Sequence, residues 1–447
     1  AARRGRAGGM TGMLTIDAIR NCLEGVVPST IATCDRHGVP NASLLSQVHY
    51  VDASHVALTY QFFNKTRRNI LENPYAAVQV VDPVTTAEYE LTLRYLHTET
   101  SGPLFESMKA KLAGIASHAG MQNVFMLRGA DVYKVLGIEA VAGAAPPPPA
   151  RPSLLPEVRR TCERLAGSGD LTEIIDQTLA ALGNSFGIDH AMVLMLDEAG
   201  ESLYTVASRG YTTSGVGFEV SLGDGVIGVA ARERIPIRIC HLTSDYSYSR
   251  AIGAGTASNK EIPFPGLDEP HSQMAVPIVA GSRLIGVLFT ESSQDMRFSY
   301  EDEDAVATLA AHLAALIPAL TRGSTAADGA PGDTCPAPSG QPAIIRHYAA
   351  DDSVFIGHDY LIKGVAGAIF RKLVRDHVTD GRCDFTNREL RLAPEIRLPE
   401  AAENLEARLL LLQRRLAERS DIVRIEKTGR GRFRLQVQRP LLLEDMA

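Results

Sequence analysis

The chain has 447 residues, of which 45% are hydrophobic and 22% charged, so it is neither wholly disordered nor a coiled coil, and its length favours roughly three domains. Its net charge of −7 is uneven, because residues 341–447 hold 19 Lys and Arg against 16 Asp and Glu, or +3, and the rest carries −10. This asymmetry favours an anionic partner for the C-terminal part.

Targeting and cysteine patterns indicate the cellular compartment. No apolar run reaches the roughly 18 residues that cross a bilayer, and the start lacks the apolar stretch of a secretion signal. The six cysteines, Cys22, Cys34, Cys162, Cys240, Cys335 and Cys383, form no CxxC pair or short-spaced cluster. We therefore expect a cytoplasmic protein with reduced thiols, no membrane contact and no metal site.

Two linker-like stretches divide the chain. AGAAPPPPARP favours an extended spacer, and RGSTAADGAPGDTCPAPSGQPA is too rich in Gly, Ala, Ser and Pro to bury a core. The predicted divisions are a flexible N-terminal extension at 1–14, a first domain at 15–141, a Pro-rich linker at 142–155, a second domain at 156–321, a flexible linker at 322–343 and a third domain at 344–447.

The first domain consists mainly of short predicted strands. STIATCD and NASLLSQVHYVD flank the turn RHGVP, whose glycine permits a hairpin. HVALTYQFF and AAVQVVDP follow as strands on either side of a helical NKTRRNILENP. Short strands of this kind are most simply accommodated in a barrel.

The segment LTYQFFNKTRRNILENPYAAVQVVD, which begins at Leu58, resembles the pyridoxamine-phosphate-oxidase-like split barrels. In that family it binds the FMN phosphate through a hydroxyl and basic residues, and a helix N-terminus with nearby cations suits an anion. The family commonly has Ser, one residue, then Lys at this junction, where this chain has Asn64, Lys65 and Thr66. The alternative is a solvated helix face, since related barrels also take other cofactors or none. The resemblance implies an FMN site at Asn64, Lys65, Thr66, Arg67 and Arg68.

The second domain is predicted to run from helices through strands to a closing helix. Its segments GFEVSLGDGVIGVAARERIPIRIC, HSQMAVPIVAGSRLIGVLFTES and RFSYEDEDAVATLAAHLAAL resemble a GAF domain in the same order. The resemblance implies an α/β/α sheet domain that binds a small molecule and forms homodimers through its flanking helices, without naming the ligand.

A polar insertion-like segment at 238–273 is predicted to cover the ligand pocket, because such loops carry function on rigid scaffolds. The alternative is a surface loop in which Cys240 is a small buried residue. A metal site from Cys240, His241 and His271 is a weaker alternative, because the spacing matches no standard zinc pattern. The candidate ligand-binding residues are Cys240, His241, Asp245, Tyr246 and His271.

The third domain is predicted to contain two strands, an amphipathic helix, the capping-box helix FTNRELRL, a long helix and a hairpin around Thr428–Gly431. This order resembles the winged helix-turn-helix domain of OmpR-type response regulators. Its long helix and wing would contact duplex DNA, mainly at phosphates. The alternative is a protein-interaction or dimerisation module, since LLLL must partly be core. The candidate DNA contacts are Arg408, Arg414, Arg415, Arg419, Lys427, Arg430, Arg432 and Arg434.

Together these patterns predict a multidomain α+β protein with a split barrel, a GAF-like domain and a winged helix. The leading hypothesis is a one-component regulator in which a small-molecule site and an FMN-type barrel control a DNA-binding domain. The competing hypothesis is an FMN-dependent oxidoreductase of a small substrate, in which the other domains regulate or dimerise the barrel.

Overall fold

A computed structural model describes residues 14–446, except 24–26, 28, 46–47, 61–63, 103, 110–126, 144–145, 148–151, 198, 240–261, 323–338 and 397–404. The described residues form three folded units, each with its own sheet or pair of sheets.

The first unit is a barrel-like antiparallel sheet of seven strands in the order β2-β1-β5-β6-β7-β4-β3. The predicted first hairpin is present, with Gly38 in the left-handed region at φ +80° and Asp35 accepting hydrogen bonds from the amides of its turn. Apolar side chains such as Ile31, Val78 and Leu91 form its core. The elements are a 3₁₀ helix (Asp17–Leu23), β1 (Ser29–Cys34), β2 (Pro40–Leu45), β3 (Val48–Asp52), β4 (His55–Tyr60), α1 (Asn64–Glu72), β5 (Tyr75–Val81), β6 (Glu88–Glu99) and β7 (Gly129–Ala140).

The second unit is a six-stranded sheet in the order β10-β9-β8-β13-β12-β11, covered on both faces by helices. Alternate residues of a strand face opposite sides, so Val193 and Met195 join one core, and Met192 and Leu194 join the other. The elements are α2 (Leu155–Ala166), α3 (Leu171–Asn184), β8 (His190–Leu196), β9 (Ser202–Arg209), β10 (Glu219–Ser221), α4 (Gly225–Glu233), β11 (Ile237–Ile239), β12 (Ser272–Ala280), β13 (Arg283–Ser292) and α5 (Tyr300–Arg322).

Helix α5 begins at the acidic run that the sequence predicts for its first turn. The amide and hydroxyl of Ser299 donate to Asp302, whose own amide donates back to the Ser299 hydroxyl. Within the described part of the chain, Tyr300–Leu320 is long and apolar enough to cross a membrane. Its side chains Val306, Leu309 and Leu313 are buried in the core of the second unit.

The C-terminal unit contains a four-stranded sheet in the order β16-β15-β14-β20 and a three-stranded sheet in the order β17-β19-β18. The predicted capping box is present, because Thr386 accepts a hydrogen bond from the Glu389 amide. A final strand that the sequence pattern did not predict pairs in parallel with the first strand of the unit. The elements are β14 (Ala343–Tyr348), β15 (Ser353–Ile356), β16 (Asp359–Ile362), α6 (Gly364–Asp380), β17 (Asp384–Thr386), α7 (Asn387–Leu392), α8 (Leu405–Arg419), β18 (Val423–Gly429), β19 (Arg432–Val437) and β20 (Leu441–Met446).

The cysteines differ from the expectation of reduced thiols. Cys22, Cys34 and Cys162 are free, but Cys383, just before β17, is disulfide-bonded. The expectation is wrong for Cys383, because sequence spacing detects only short-range clusters, and a disulfide joins cysteines that the fold brings together.

Candidate functional site

The strand-to-helix junction before α1 gathers donors that suit an anion. Lys65 and Arg68 are exposed in the first turns of the helix, and Thr66 is buried between them. The Thr66 hydroxyl lies 2.9 Å from both the Asn41 amide nitrogen and the Ser43 hydroxyl of β2. Two exposed cations, a helix N-terminus and this polar cluster form a donor set that fits the phosphate of FMN.

An acidic side chain lies near the same junction. Lys65 contributes to a lowered pKa of Asp35, although the hydrogen bond from the Val39 amide is the larger cause. Asn64 is the first residue of α1, so its backbone lies at the helix N-terminus.

Arg67 points away from the exposed cations and into a buried polar cluster. Its guanidinium lies 2.5 Å from an oxygen of Asp131 and 2.7 Å from the Thr98 hydroxyl, and that hydroxyl donates to the same carboxylate. Burial raises the pKa of Asp131, which the hydroxyl of Thr98 and the charge of Arg67 oppose. Among the predicted phosphate contacts, Arg67 is therefore held by an internal counter-ion, Asp131.

The predicted lid of the second unit falls mostly outside the described residues. Cys240, His241, Asp245 and Tyr246 all lie in the undescribed range 240–261. His271 is described; it precedes β12, its side chain is exposed, and its Nδ1 lies 3.2 Å from a carboxylate oxygen of Asp295. Among the described residues no group of three or more His, Cys, Asp and Glu side chains could hold a metal ion.

The sequence reasoning missed a buried carboxylate on β13. Glu291 is 1% exposed and accepts hydrogen bonds from the Leu267 amide at 2.7 Å and the Gln273 side chain at 3.1 Å. The pKa of the neighbouring Tyr211 is raised, mainly by burial and further by the charge of Glu291. A single Glu inside the apolar run RLIGVLFTES was the available signal, because a lone charge in a buried strand needs partners.

Two basic residues of α8, Arg408 and Arg414, contact the second unit. The guanidinium of Arg408 stacks 3.6 Å from the ring centre of Tyr204 on β9, and Arg414 pairs with Asp176 of α3 at 2.6 Å. Arg415 is 2% exposed and donates to the Leu361 carbonyl at 3.0 Å, and burial lowers its pKa. The apolar core on this side of the sheet also continues into the C-terminal unit. Three of the predicted DNA contacts are therefore covered in this arrangement.

The basic residues near the end of α8 and in the hairpin divide into two groups. Lys427 bridges to Asp170 at the start of α3 at 2.5 Å, and Arg434 is held by both oxygens of Asp384 at 2.8 and 2.7 Å. Arg419 and Arg430 are exposed, and Arg432 is half-buried. Arg419 at the end of α8 and Arg430 at the hairpin tip therefore present exposed cations.

Two family matches cover separate parts of the chain. Residues 15–134 match the pyridoxamine 5'-phosphate oxidase family, and residues 168–317 match the GAF domain family. No curated protein matches the chain.

Solved structures are similar to the same two parts. An FMN-binding protein from Syntrophomonas wolfei subsp. wolfei is 18% identical, with 28% of this chain and 89% of that chain covered and a TM-score of 0.24. The GAF domain of an Acinetobacter phosphoenolpyruvate-protein phosphotransferase is 19% identical, with 40% of this chain and 99% of that chain covered and a TM-score of 0.31. Free methionine-R-sulfoxide reductase from Neisseria meningitidis is 18% identical, with 39% of this chain and 96% of that chain covered and a TM-score of 0.31.

The family matches agree with the resemblances that the sequence motifs carry in the first two units. They do not extend to the C-terminal unit. Residues 15–134 thus form a domain like that of pyridoxamine 5'-phosphate oxidase, and residues 168–317 form a GAF domain.

Proposed function

We propose that the chain is a small-molecule-sensing regulator in which the GAF domain controls a DNA-binding winged helix in the C-terminal unit. The two recognised domains indicate a sensing, regulatory or flavin-related protein. The winged-helix part is supported by the order of a four-stranded sheet, helices α6, α7 and α8, and the β18–β19 hairpin. In such a domain α8 is the recognition helix and the hairpin is the wing.

The observation that carries the proposal is the packing of the GAF domain against α8 and the hairpin. In the GAF domain, Tyr204 contacts Arg408, Asp176 pairs with Arg414, and Asp170 pairs with Lys427 of the C-terminal unit. Arg and Lys are the residue types that bind DNA phosphates, and in this structure protein side chains contact these three cations instead. The arginine at the tip of the hairpin is exposed.

This arrangement gives the sensor a means of control. A ligand shifts an equilibrium only by its difference in affinity for the two states. A GAF ligand that favours an undocked α8 would free the basic face for DNA, and by linkage DNA would favour the same ligand-bound state. The state in which the GAF domain packs against α8 is then the state with low affinity for DNA.

DNA binding through the wing is tested with the double variant Arg430→Ala and Arg432→Ala. We expect weaker binding to every duplex and a salt slope reduced by about two, since each lost phosphate contact removes about one counterion. The measurement is fluorescence anisotropy of a labelled random-sequence duplex with the full chain over a range of salt concentrations.

The matched control is Arg159→Ala with Arg160→Ala, which removes two exposed arginines from α2. It should leave the affinity and slope near those of the unmodified chain. Equal losses in the two double variants, or no binding at low salt by a folded chain, would reject a DNA-binding wing.

A second candidate function is flavin-dependent redox chemistry in the first domain. It is favoured by the two exposed cations and the polar cluster of Asn41, Ser43 and Thr66 at the start of α1. FMN would supply the electron-transfer chemistry when bound, and these residues would bind and orient its phosphate. The same site would serve a regulator as a redox or flavin input.

A further inference from the structure

A short segment of the GAF domain packs onto the face of the sheet that also carries α4. Residues 262–267 belong to no helix or strand, and they lie in the segment 238–273 that was predicted to cover the ligand pocket. Ile262 is 9% exposed and joins the apolar core on this face, together with Ile227 of α4 and Phe289 of β13. The segment therefore lies directly against the sheet.

Phe264 supplies the aromatic contacts of this segment. Its ring centre is 5.1 Å from that of Phe218 and 6.1 Å from that of Phe289, in tilted arrangements that are favourable for aromatic pairs. The side chain of Phe264 is only half-buried, so it is not sealed from solvent. An aromatic ring of another molecule would make the same two contacts in its place.

A buried carboxylate lies beside this ring. Glu291 is 1% exposed, and its Oε1 accepts a hydrogen bond from the Leu267 amide at 2.7 Å. A Cβ atom placed on Gly266 would collide with the edge of the Phe264 ring and lie 3.1 Å from the same Oε1. The ring edge and the carboxylate oxygen therefore border one point, and the segment presents a ring and an N–H donor side by side.

The position of the segment determines what can replace it. Because residues 262–267 form no helix or strand, their displacement disrupts no regular ladder of backbone hydrogen bonds. A competing molecule must still displace a donor of the same chain, which is present at a high effective concentration. That donor is a neutral amide, whereas an ammonium group forms a charge-assisted hydrogen bond about twice as strong. A charged amine is therefore the chemistry best suited to compete for Glu291.

We propose that residues 262–267 occupy the ligand site of the GAF domain, and that the ligand is an arylalkylamine that displaces them. Its ring takes the place of Phe264 against Phe218 and Phe289, and its ammonium takes the place of the Leu267 amide on Glu291. Because ring and carboxylate border one point, one or two carbons separate the ring from the nitrogen. The inference rests on the proposed function, since it names the ligand class of the sensor.

Calorimetric titration of the full chain without DNA tests the site, with benzylamine and 2-phenylethylamine as probes. We expect at least one amine to bind. Benzyl alcohol and 2-phenylethanol, which keep the ring but lack the charge, should bind at least about tenfold more weakly than the matching amine. Glu291→Gln should weaken amine binding by about tenfold or more. The bound amine should also speed hydrogen exchange in the peptide that contains Leu267, whose amide loses its acceptor.

Two substitutions distinguish a displaced segment from an ordinary pocket wall. Phe264→Ala removes the ring that competes with the ligand, so amine binding should strengthen by about tenfold, whereas truncation of a wall residue weakens binding. Gly266→Ala forces the Phe264 ring to move and deletes no side chain, so it should also strengthen binding. The matched control is Gly169→Ala in the same domain, where an added Cβ has no atom within 4 Å. It should bind like the unmodified chain.

The outcomes separate the ligand site from the DNA output. If Phe264→Ala or Glu291→Gln fails to fold, Gly266→Ala and the comparison of amine with alcohol decide the result. No amine binding, equal binding of amine and alcohol, or folded segment variants that do not strengthen amine binding would overturn the proposal. Amine binding that the segment variants strengthen, in a chain without DNA affinity, supports the ligand site and rejects the DNA output.

Discussion

Combining Tyr204→Leu, Asp170→Asn and Asp176→Asn is expected to raise the affinity of the full chain for duplex DNA by about tenfold or more. The changes remove the GAF side of the contacts to Arg408, Lys427 and Arg414. An ion pair near the surface contributes about 0.2–1 kcal/mol and a desolvated cation–π contact about 2 kcal/mol, and tenfold corresponds to about 1.4 kcal/mol. Anisotropy with the labelled duplex measures the change.

The design of this variant limits the loss of stability and controls for charge. Tyr204 is 1% exposed, and leucine removes its aromatic ring but keeps much of the buried apolar volume. Asp170 caps α3 through the Thr172 amide, and asparagine keeps that cap. Glu201→Gln with Glu301→Gln also removes two negative charges from exposed positions of the GAF domain. If the triple variant gains no more affinity than this double control, the GAF contacts do not restrain the C-terminal unit.

The second large effect is expected on FMN binding by the first domain. Lys65→Gln and Arg68→Gln should each weaken FMN binding by about tenfold, because each removes an exposed cation that would pair with the phosphate. The same variants should bind riboflavin like the unmodified chain, since riboflavin lacks the phosphate. Equilibrium titration of the full chain by flavin fluorescence measures both affinities.

Arg94→Gln on β6 is the matched control, because it removes an exposed cation from the same domain, away from α1. Arg67 is left intact, since its loss would bury Asp131 without its cation and disturb the fold. A chain that takes up no FMN, or that binds FMN and riboflavin with equal affinity, would contradict the phosphate site.

The features that the sequence predicted well depend on neighbouring residues. The hairpin at Gly38, the cap at Thr386 and the acidic first turn of α5 each follow from residues a few positions apart. Helix caps and turns are local, so the side chains that form them are adjacent in the sequence. The GAF domain was also predictable, because its resemblance rests on several local segments that occur in a fixed order, and the family match covers them.

The features that the sequence could not predict join distant segments. Arg67 pairs with Asp131, 64 residues away, and Arg414 pairs with Asp176, 238 residues away. Motif spacing grouped Arg67 with its neighbours as a phosphate contact, but a side chain of α1 that faces the sheet meets whichever strand lies beneath it. The pattern of residues in a helix likewise gives no sign that Oε2 of Glu406 is buried without a hydrogen-bond partner.

Hydrogen exchange of the full chain with and without duplex DNA tests the central claim most directly, because it reports whether the GAF domain releases α8. Amides of α3 in Leu171–Asn184 should exchange faster in the DNA complex, since α8 no longer packs against that helix. Amides of the hairpin, Val423–Gly429 and Arg432–Val437, should exchange more slowly under the DNA. A DNA complex in which exchange of α3 is unchanged would contradict control by the GAF domain.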